Sequence, residues 1–594
     1  MRGRGMGNRI FAATALMLAA FAASARGQDV VEIGRRHGAT PPRWMLEQLA
    51  RDPNAFEFRR AWKGELARVR ANRARLRALG VAPAALSPKE AARQGVAVTG
   101  TYRVPVFTIL FANTPAEPYP VADLQDRLYG TSGLTLTTYY DEVSRGLFTL
   151  TGAVHGWVRV SRNDTHYEGV DNGLGVQLGD LLVEVLDSVD AAVDFSEYDR
   201  DGDGYVDLVA FVHPEEGGEC NTSNIWSHRW VIEATRGAPY VTDDSVTIGG
   251  VRRPVLVSDY VIQPAYECGR AEPIQIGVFA HEYGHALGLP DLYATNGSNA
   301  GIGVWGLMGA GNWNRPSSPA HLSAWSKVEL GWMPVVTIDR DTVGLAIEPA
   351  ETTGPAVRID LPDSPGEYFL LENRQRIGSD RYLPGTGLLI WHVDSTVIAN
   401  RRVPNTVQND AAHKGVDLEG ADGEASLDSP DYPGGLGDVF PGSSGNTRFD
   451  DSTTPSSAGY GDVASGIAVS NIVEADGKVT VDVSIGTPGQ PVVRWGDVNR
   501  DGKIDLDDVD MIYRELVGID TGASMEIADV DGDGNVNTRD ALIVHSYIEG
   551  VDVSGFRVGE VVPASVARRL VVDRGVPAPN VAPLKKQPIT GGHQ

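Results

Sequence analysis

Cysteine, basic charge and long apolar runs are all scarce in this 594-residue chain. The two cysteines, Cys220 and Cys268, are too few for a disulfide framework, and neither has the spacing of a zinc finger. Lys and Arg number 52 against 78 Asp and Glu, so the net charge of −26 argues against nucleic acid as a partner. Beyond the N-terminal segment, no stretch is long and apolar enough to cross a bilayer. The length and the excess of acidic residues suit an exported, multi-domain protein that binds calcium.

The clearest chemical motif lies at residues 281–291, His-Glu-Tyr-Gly-His-Ala-Leu-Gly-Leu-Pro-Asp. His281 and His285 are four residues apart, so on a helix they share one face and can bind one ion. Glu282 lies where it can take a proton from a metal-bound water. The second glycine of the motif suits a helix end, and the returning chain would bring Asp291 round as a third ligand. Two imidazoles and one carboxylate leave the fourth tetrahedral position open, which predicts one catalytic zinc ion.

A His-Glu-x-x-His pattern also occurs by chance on ordinary surface helices, but the added glycine and aspartate make a chance match about a hundredfold rarer. The string resembles the immune inhibitor A family of secreted bacterial zinc metalloproteases, a metzincin-like group in which aspartate is the third zinc ligand. The resemblance covers about residues 100 to 480 and implies a Met-turn that places Met308 beneath the zinc. Core packing of Met308 is a compatible alternative. The other segments that resemble this family are residues 139–148, 225–230, 305–313 and 383–394.

Residues 98–335 are predicted to form the catalytic domain, with an α+β zincin or metzincin-like fold. Residues 103–111 have the β-branched and aromatic composition of a central strand, and residues 176–189 have the apolar spacing of a helix. The expected reaction is hydrolysis of peptide bonds by a zinc-activated water, with Glu282 as general base. The histidines expected to pack or to contact substrate, rather than to bind zinc, are His228 and His321.

An acidic loop at residues 199–207 matches the first half of a calcium-binding EF-hand loop. Its aspartates alternate along the chain, and a glycine occupies the sixth position. The twelfth position is Ala210 rather than glutamate, so the loop cannot close around calcium in the usual way. We favour calcium bound with help from elsewhere in the domain over a tight acidic turn. The predicted ligands are Asp199, Asp201, Asp203 and Asp207.

The N-terminal part of the chain is predicted to be removed from the mature enzyme. Residues 1–25 have a positive start, an apolar run and a small-residue cleavage site, which indicate a secretory signal; an uncleaved membrane anchor is the alternative. Residues 26–97 hold 15 Lys and Arg against 7 Asp and Glu and include a helical pattern, so a propeptide is predicted. A basic helix that binds membranes or anions is the alternative. Export also favours a disulfide between Cys220 and Cys268 over two buried thiols.

Residues 336–486 have short β-like runs between glycines and prolines, which predict a β-sandwich-like domain packed on the protease. Residues 400–465 within it are predicted to be long surface loops with room for further calcium. His392 and His413 are expected to be structural. Residues 487–495 are predicted to be a linker.

Two related twelve-residue loops lie within residues 496–551. Each places oxygen side chains at positions 1, 3, 5, 9 and 12 with glycine at 6, and each leads into a helix, at residues 509–517 and 541–548. The pair resembles a dockerin type I module, which implies a small all-α unit with two calcium ions and a cohesin-domain protein as partner. A calcium-stabilised module without a partner is the alternative. The predicted calcium ligands are Asp497, Asn499, Asp501, Lys503, Asp505 and Asp508 in the first loop and Asp529, Asp531, Asp533, Asn535, Asn537 and Asp540 in the second. Residues 552–594 are predicted to be a flexible tail.

The sequence as a whole predicts a secreted, extracellular zinc endopeptidase made with a signal and a propeptide, associated with a cell surface if the dockerin-like module has a partner. One competing hypothesis is a non-catalytic, calcium-dependent binding protein displayed through that module. The presence of Glu282 beside its ligands argues against it, because a scaffold needs no general base. A metal-dependent hydrolase of non-peptide substrates would share the zinc chemistry but not the surrounding motifs.

Overall fold

The computed structural model describes residues 97–560 and 562, apart from residues 171, 221, 270–271, 363, 403–404, 431, 487–493, 501–502 and 520. The predicted signal, nearly all of the predicted propeptide, most of the predicted linker, Asp501 and the end of the predicted tail lie outside these residues. The described chain is a mixed α/β structure with several sheets. None of its described helices has both the length and the apolar composition needed to cross a membrane.

The strands of the first region are β1 (Gly100–Leu110), β2 (Phe148–Arg159), β3 (Val209–Glu216), β4 (His228–Val231), β5 (Tyr240–Ile248), β6 (Val251–Val257) and β7 (Asp259–Tyr266). Within the described residues, five of them form a sheet in the order β2-β1-β3-β7-β4. β1, β2, β3 and β7 are parallel, whereas β4 runs antiparallel to β7 at one edge. β5 and β6 form a separate antiparallel pair.

The α-helices of this region are α1 (Val121–Tyr129), α2 (Leu136–Val143), α3 (Asp164–Glu168), α4 (Val176–Val189), α5 (Glu233–Arg236) and α6 (Ile276–Ala286). They cover both faces of the sheet, because parallel strands must be buried on both sides. Val104 and Val106 of β1 pack in the apolar cluster that contains α6. Phe107 and Ile109 pack in the opposite cluster, which contains the apolar face of α4. α6, which carries the two histidines of the motif, is buried along its whole length.

A disulfide joins Cys220 to Cys268, which confirms the predicted pairing. It links the segment before β4 to the segment after β7, two elements that are neighbours in the sheet. The bond closes a loop with a sequence separation of 48. In the chain-entropy model, a loop of this size stabilises the fold by about 4 kcal/mol.

The helices and strands of the next region are α7 (Asn312–Asn314), α8 (Ala324–Glu329), β8 (Val335–Thr337), β9 (Thr342–Ile347), β10 (Ala356–Asp360), β11 (Glu367–Arg374), β12 (Gly387–Asp394), α9 (Ser395–Arg401), β13 (Val416–Leu418), β14 (Phe449–Asp450), β15 (Ile467–Ala475) and β16 (Lys478–Ile485). The strands form two sheets among the described residues, with the orders β13-β12-β11-β10-β8 and β14-β15-β16-β9. Side chains from both sheets meet in one apolar cluster.

One of these sheets is buried on both faces, and its outer face belongs to the core of the first region. Phe369 and Leu371 of β11 point to the second sheet, whereas Tyr368 and Leu370 pack in the cluster that contains α6. This alternation follows from the two-residue period of a strand. A continuous apolar core therefore crosses the predicted domain boundary at residue 335.

The C-terminal region contains α10 (Leu506–Leu516) and α11 (Thr538–Ile548). Both helices begin three residues before the predicted starts, because Asp505 and Asn537 act as N-caps and form capping boxes with Asp508 and Asp540. The apolar side chains of the module pack together with four residues from beyond its predicted end, Val553, Phe556, Val558 and Val562.

The C-terminal module also contacts the β-rich region. Arg494 donates to Asp450 over 2.6 Å, and Arg448 donates to the carbonyl of Gly559 over 2.6 Å. Asp450 is fully buried, and it accepts hydrogen bonds from both Arg494 and Arg448. One ion pair and one hydrogen bond to a backbone carbonyl therefore fix the module against β14.

Candidate metal centre

The two histidines of α6 point their Nε2 atoms at one place. His281 and His285 are one helical turn apart, and their ring centroids lie 4.8 Å from each other. The Nδ1 atom of His281 bonds to the Leu307 carbonyl over 2.9 Å, and the Nδ1 atom of His285 bonds to the Leu289 carbonyl over 2.9 Å. Because a carbonyl only accepts, each Nδ1 carries a proton and each Nε2 can offer its lone pair to a metal.

Asp291 reaches the same place because the chain turns back after the helix. Gly288 has a φ of +106°, a backbone conformation that favours glycine over residues with a side chain. The Oδ1 atom of Asp291 then lies 3.1 Å from Nε2 of His281 and 3.4 Å from Nε2 of His285. Asp291 is fully buried. The structure therefore brings together the three residues that the sequence predicts as zinc ligands.

These separations fit a tetrahedral zinc site. Bonds of about 2.0–2.1 Å with tetrahedral angles place two ligand atoms roughly 3.3 Å apart. Burial lowers the pKa of His281, but the hydrogen bond and charge of Asp291 outweigh it and hold the pKa above 6.5. A proton and a metal therefore compete for the same nitrogen.

Met308 lies directly against α6 at Gly284, the residue that precedes His285. It is fully buried, and a Cβ atom added to Gly284 would approach the Met308 sulfur to 2.5 Å. A side chain at position 284 would therefore force the Met308 side chain to move. The Met308 carbonyl also accepts from the Leu292 N–H over 2.8 Å, which ties it to the chain just after Asp291. The sequence predicted that Met308 lies beneath the zinc ligands, but Gly284 was not recognised as the residue that Met308 packs against.

A second buried acid lies near Glu282. Glu219, beside the disulfide, accepts hydrogen bonds from the backbone N–H and the hydroxyl of Ser227. Burial raises the pKa of Glu219, the bonds from Ser227 oppose this rise, and the charge of Glu282 adds to it. Glu282 itself is buried on the helix between the two histidines. Glu219 was missed from the sequence, because a lone glutamate before a cysteine forms no motif.

The other two histidines that the sequence predicts in this domain, His228 and His321, bond to other protein groups. His228 bonds through Nδ1 to the Trp226 carbonyl over 2.6 Å and through Nε2 to the Tyr260 hydroxyl over 3.0 Å, and burial lowers its pKa to about 4. His321 bonds to Glu142 over 2.8 Å and accepts from Lys327 over 3.0 Å.

In the β-rich region, His392 and His413 stack on the two faces of Tyr460, with ring centroids 4.4 and 3.9 Å away. Burial lowers the pKa of His392, but Glu367 and Glu419 raise it to about 9. His413 bonds to Asp394 over 2.8 Å.

The acidic loop before β3 brings Asp199, Asp201 and Asp203 together. Asp199 accepts from the backbone N–H groups of Asp203 and Gly204, yet burial and the charge of Asp203 raise its pKa to about 6. Burial and the three neighbouring aspartates likewise raise the pKa of Asp207. Such crowding of carboxylates is relieved when a cation binds.

The loops of the C-terminal module are only partly assembled. The second loop brings Asp529, Asp531 and Asp540 together. Asp533 instead accepts the backbone N–H of Asn535, and Asn537 caps α11. In the first loop, Asp497 and Asp508 are fully buried and Asp508 accepts the backbone N–H groups of Asn499 and Asp505. Lys503 lies in the described part of this loop, whereas Asp501 lies outside the described residues.

Comparison with known families agrees with this chemistry. Residues 125–333 match the family described as immune inhibitor A peptidase M6, catalytic domain, and residues 495–549 match the dockerin type I domain. The first family is one of metallopeptidases, which are hydrolases that use a bound metal ion. The chain thus contains a peptidase M6 domain of the immune inhibitor A family, followed by a C-terminal dockerin type I domain, and dockerin domains bind calcium.

Curated relatives from Bacillus thuringiensis and Vibrio cholerae match part of the chain. It is 30% identical over 291 residues to Immune inhibitor A of Bacillus thuringiensis subsp. alesti, covering 42% of this chain and 40% of the relative. It is 29% identical over 251 residues to the Pre-pro-metalloprotease PrtV of Vibrio cholerae serotype O1, covering 35% of this chain and 26% of the relative. The chain therefore spans less than half the length of either relative.

Proposed function

We propose that this chain is a secreted zinc endopeptidase that hydrolyses peptide bonds of proteins, with Glu282 as general base. The single observation that carries this proposal is the distance of 3.1 and 3.4 Å from one Asp291 oxygen to the Nε2 atoms of both histidines. His281, His285 and Asp291 would hold the zinc ion. The match to a peptidase M6 catalytic domain supports peptides as the substrate class.

Zinc at this site would supply a Lewis acid that polarises the scissile carbonyl and acidifies a water molecule. The chain supplies the rest of the chemistry. Glu282 accepts the proton of the attacking water at its carboxylate and passes it to the leaving amine. The Leu307 and Leu289 carbonyls fix the tautomer and the orientation of the two imidazoles. Met308 gives the site an apolar floor and excludes water from beneath the ligands.

The finer fold assignments belong to the same proposal. A zincin-like catalytic domain is supported by a largely parallel sheet that carries an antiparallel edge strand, β4, beside the helix with the histidine pair. A β-sandwich-like second domain is supported by the two sheets that share one apolar cluster. Calcium in the second dockerin loop and in the loop at residues 199–207 is supported by the carboxylate clusters there. A second calcium ion, in the first dockerin loop, is supported by the repeated ligand pattern at residues 497–508.

Secretion, processing and partner are proposed on the same grounds. The name of the Vibrio cholerae relative describes a pre-pro protein, which supports a signal and a propeptide in the N-terminal 97 residues of this chain. The dockerin domain supports an extracellular location and a cohesin-domain protein as partner. A binding protein without catalysis is the second candidate, and only the dockerin domain favours it.

Casein hydrolysis by the processed protein, with and without a zinc chelator, tests the proposal. Glu282→Gln should keep one zinc ion per chain but lose activity by about 10²- to 10⁴-fold, because the general base is removed while all three ligands stay. His281→Ala should lose the zinc itself. Glu197→Gln, a change in an exposed salt bridge with Arg103, is the matched control and should leave activity unchanged. Full activity of Glu282→Gln would refute the role of the base. An inactive wild type that is folded and loaded with zinc would favour the binding protein.

A further inference from the structure

The third candidate ligand is held by a side chain that lies 114 residues further along the chain. The Asp291 N–H donates to Oδ1 of Asn405 over 2.8 Å, and Nδ2 of Asn405 donates to Oδ2 of Asp291 over 2.6 Å. Asn405 is 1% exposed. One amide therefore binds both the backbone and the carboxylate of the same residue, which fixes the position and the rotation of that carboxylate.

The two hydrogen bonds between Asn405 and Asp291 decide which carboxylate oxygen of Asp291 faces the histidines. Oδ2 of Asp291 is occupied by the Asn405 amide, while Oδ1 lies between the two Nε2 atoms. An aspartate that binds a metal through one oxygen is oriented by a hydrogen bond to the other, and such partners tune metal affinity. Asn405 supplies that hydrogen bond without adding a charge to the buried site.

The same segment holds the turn that leads to Asp291. Arg402 donates to the Gly288 carbonyl through Nη2 over 2.7 Å and through Nε over 3.2 Å, and its Nη1 donates to Glu329 over 2.6 Å. Further along, the Thr295 N–H donates to Oδ1 of Asn409 over 2.8 Å. The chain is thus fixed before, at and after Asp291 by residues that follow α9.

All of these anchoring residues lie outside the segment that matches the peptidase family, which ends at residue 333. These residues follow α9, and α9 follows β12. Side chains of β12 pack in the same apolar core as those of α6. Asn405 has a φ of +57°, and asparagine tolerates this left-handed conformation better than most residues. Both the side chain and the backbone of the position therefore suit asparagine.

We propose that Asn405 is a positioning residue for the zinc site, so that the β-rich region completes the metal centre of the peptidase domain. The proposal rests on the proposed function, since it concerns the same zinc ligands. Zinc affinity then depends on a residue that touches neither zinc nor substrate.

Zinc binding to the full chain tests this role. Asn405→Asp keeps the side-chain shape and the tolerance for a left-handed backbone, but it replaces the N–H donor with a carboxylate oxygen that repels Oδ2 of Asp291. Asn405→Gly keeps the backbone tolerance and removes the side chain. We expect both to weaken zinc binding by about 10- to 100-fold, measured by competition with a chelator of known affinity. The visible spectrum of the cobalt(II)-loaded protein should also change, because the carboxylate is free to rotate. Asn471→Gly removes another left-handed asparagine, whose Nδ2 donates to Asp482 over 2.8 Å at the surface, and this control should change zinc affinity by no more than about twofold.

The outcomes separate the two proposals. If the wild type binds zinc no more tightly than His281→Ala, the proposed function fails. If the wild type binds zinc tightly and both Asn405 variants match it in affinity and cobalt spectrum, only the positioning role is overturned. Equal losses in Asn405→Gly and Asn471→Gly would also overturn it, since the loss of any left-handed asparagine would then suffice. Melting temperatures of the zinc-free variants within a few degrees of the wild type would exclude unfolding as the cause.

Discussion

Replacing Arg374 with methionine tests how firmly the β-rich region is bound to the peptidase domain. Arg374 is fully buried on β11, where Nε and Nη2 donate to Asp380 over 3.0 and 2.6 Å. Nη1 donates over 2.8 Å to the carbonyl of Trp305, three residues before Met308. Glu351 and Glu372 lie within 3.2 and 3.7 Å of the same guanidinium. Methionine fills a similar volume but leaves Asp380 and the Trp305 carbonyl without the hydrogen bonds that Arg374 donates.

The expected loss follows from the burial of the whole group. The side chains of Asp380, Glu351 and Glu372 are at most 1% exposed, so water cannot replace the arginine. Removal of one partner from a buried ion pair costs about 3–5 kcal/mol. We therefore expect the free energy of unfolding to fall by about 3–5 kcal/mol at pH 7. Lys478→Met, which breaks a pair with Glu348 that is about half exposed, is the control and should cost less than about 1 kcal/mol.

The loss of unfolding free energy caused by Arg374→Met should be smaller at acidic pH. Burial alone would raise the pKa of Asp380, but the charges of Arg374, His321 and Lys327 hold it below 3.8. Asp380 therefore stabilises the fold above its unfolded pKa, and this contribution disappears as the pH falls through the lower folded value. Without Arg374, the pKa of Asp380 rises. In the variant, Asp380 therefore takes up a proton, and the cost of its unpaired charge disappears, at a pH where Asp380 of the wild type is still ionised.

Urea unfolding followed by tryptophan fluorescence at pH 7 and pH 4 measures both effects. Trp305, Trp332 and Trp391 are buried in the core that the two regions share, so one transition should report on both. A loss below about 1 kcal/mol at pH 7 would show that the network contributes no more than a surface pair. An equal loss at both pH values would refute the assignment of the cost to the unpaired carboxylates.

Two further predictions concern charge. Burial and the charge of Asp380 raise the pKa of Glu351 to about 8. As the pH rises from about 4.5, Glu351 loses its proton in the unfolded state before it does so in the folded state. The free energy of unfolding therefore falls between about pH 4.5 and pH 8. Glu351→Gln should remove this loss, so its urea midpoint should fall less than that of the wild type between pH 5 and pH 8; parallel midpoints would contradict the shift. In the dockerin domain, Asp540→Asn should weaken calcium binding at the second loop by about tenfold or more, measured by calorimetric titration, because one charged ligand is lost. Asp510→Asn, a change in an exposed helical pair with Arg514, is the control, and unchanged calcium binding in Asp540→Asn would reject the predicted ligand.

Short-range parts of the candidate site were predictable because local geometry decides them. His281 and His285 are one helical turn apart, and a glycine at position 288 allows the turn that returns Asp291. The pairing of Cys220 with Cys268 was predictable because an exported chain with two cysteines has one choice. The starts of α10 and α11 were placed three residues too late, because Asp505 and Asn537 were treated only as calcium ligands although both also cap a helix.

The sequence by itself determined the candidate ligand set and the two acidic loop repeats, because each depends on residue types at fixed local spacing. It determined the disulfide because the chain has only two cysteines. Only the tertiary structure decided what surrounds them. It placed Glu219 near Glu282, set Asn405 on the carboxylate of Asp291, and buried β11 between the peptidase core and a second sheet. These contacts join residues far apart in the chain, and no local period or motif encodes such a distance. They arise from the packing of apolar faces against each other, which brings the polar residues at the edges of those faces within hydrogen-bonding reach.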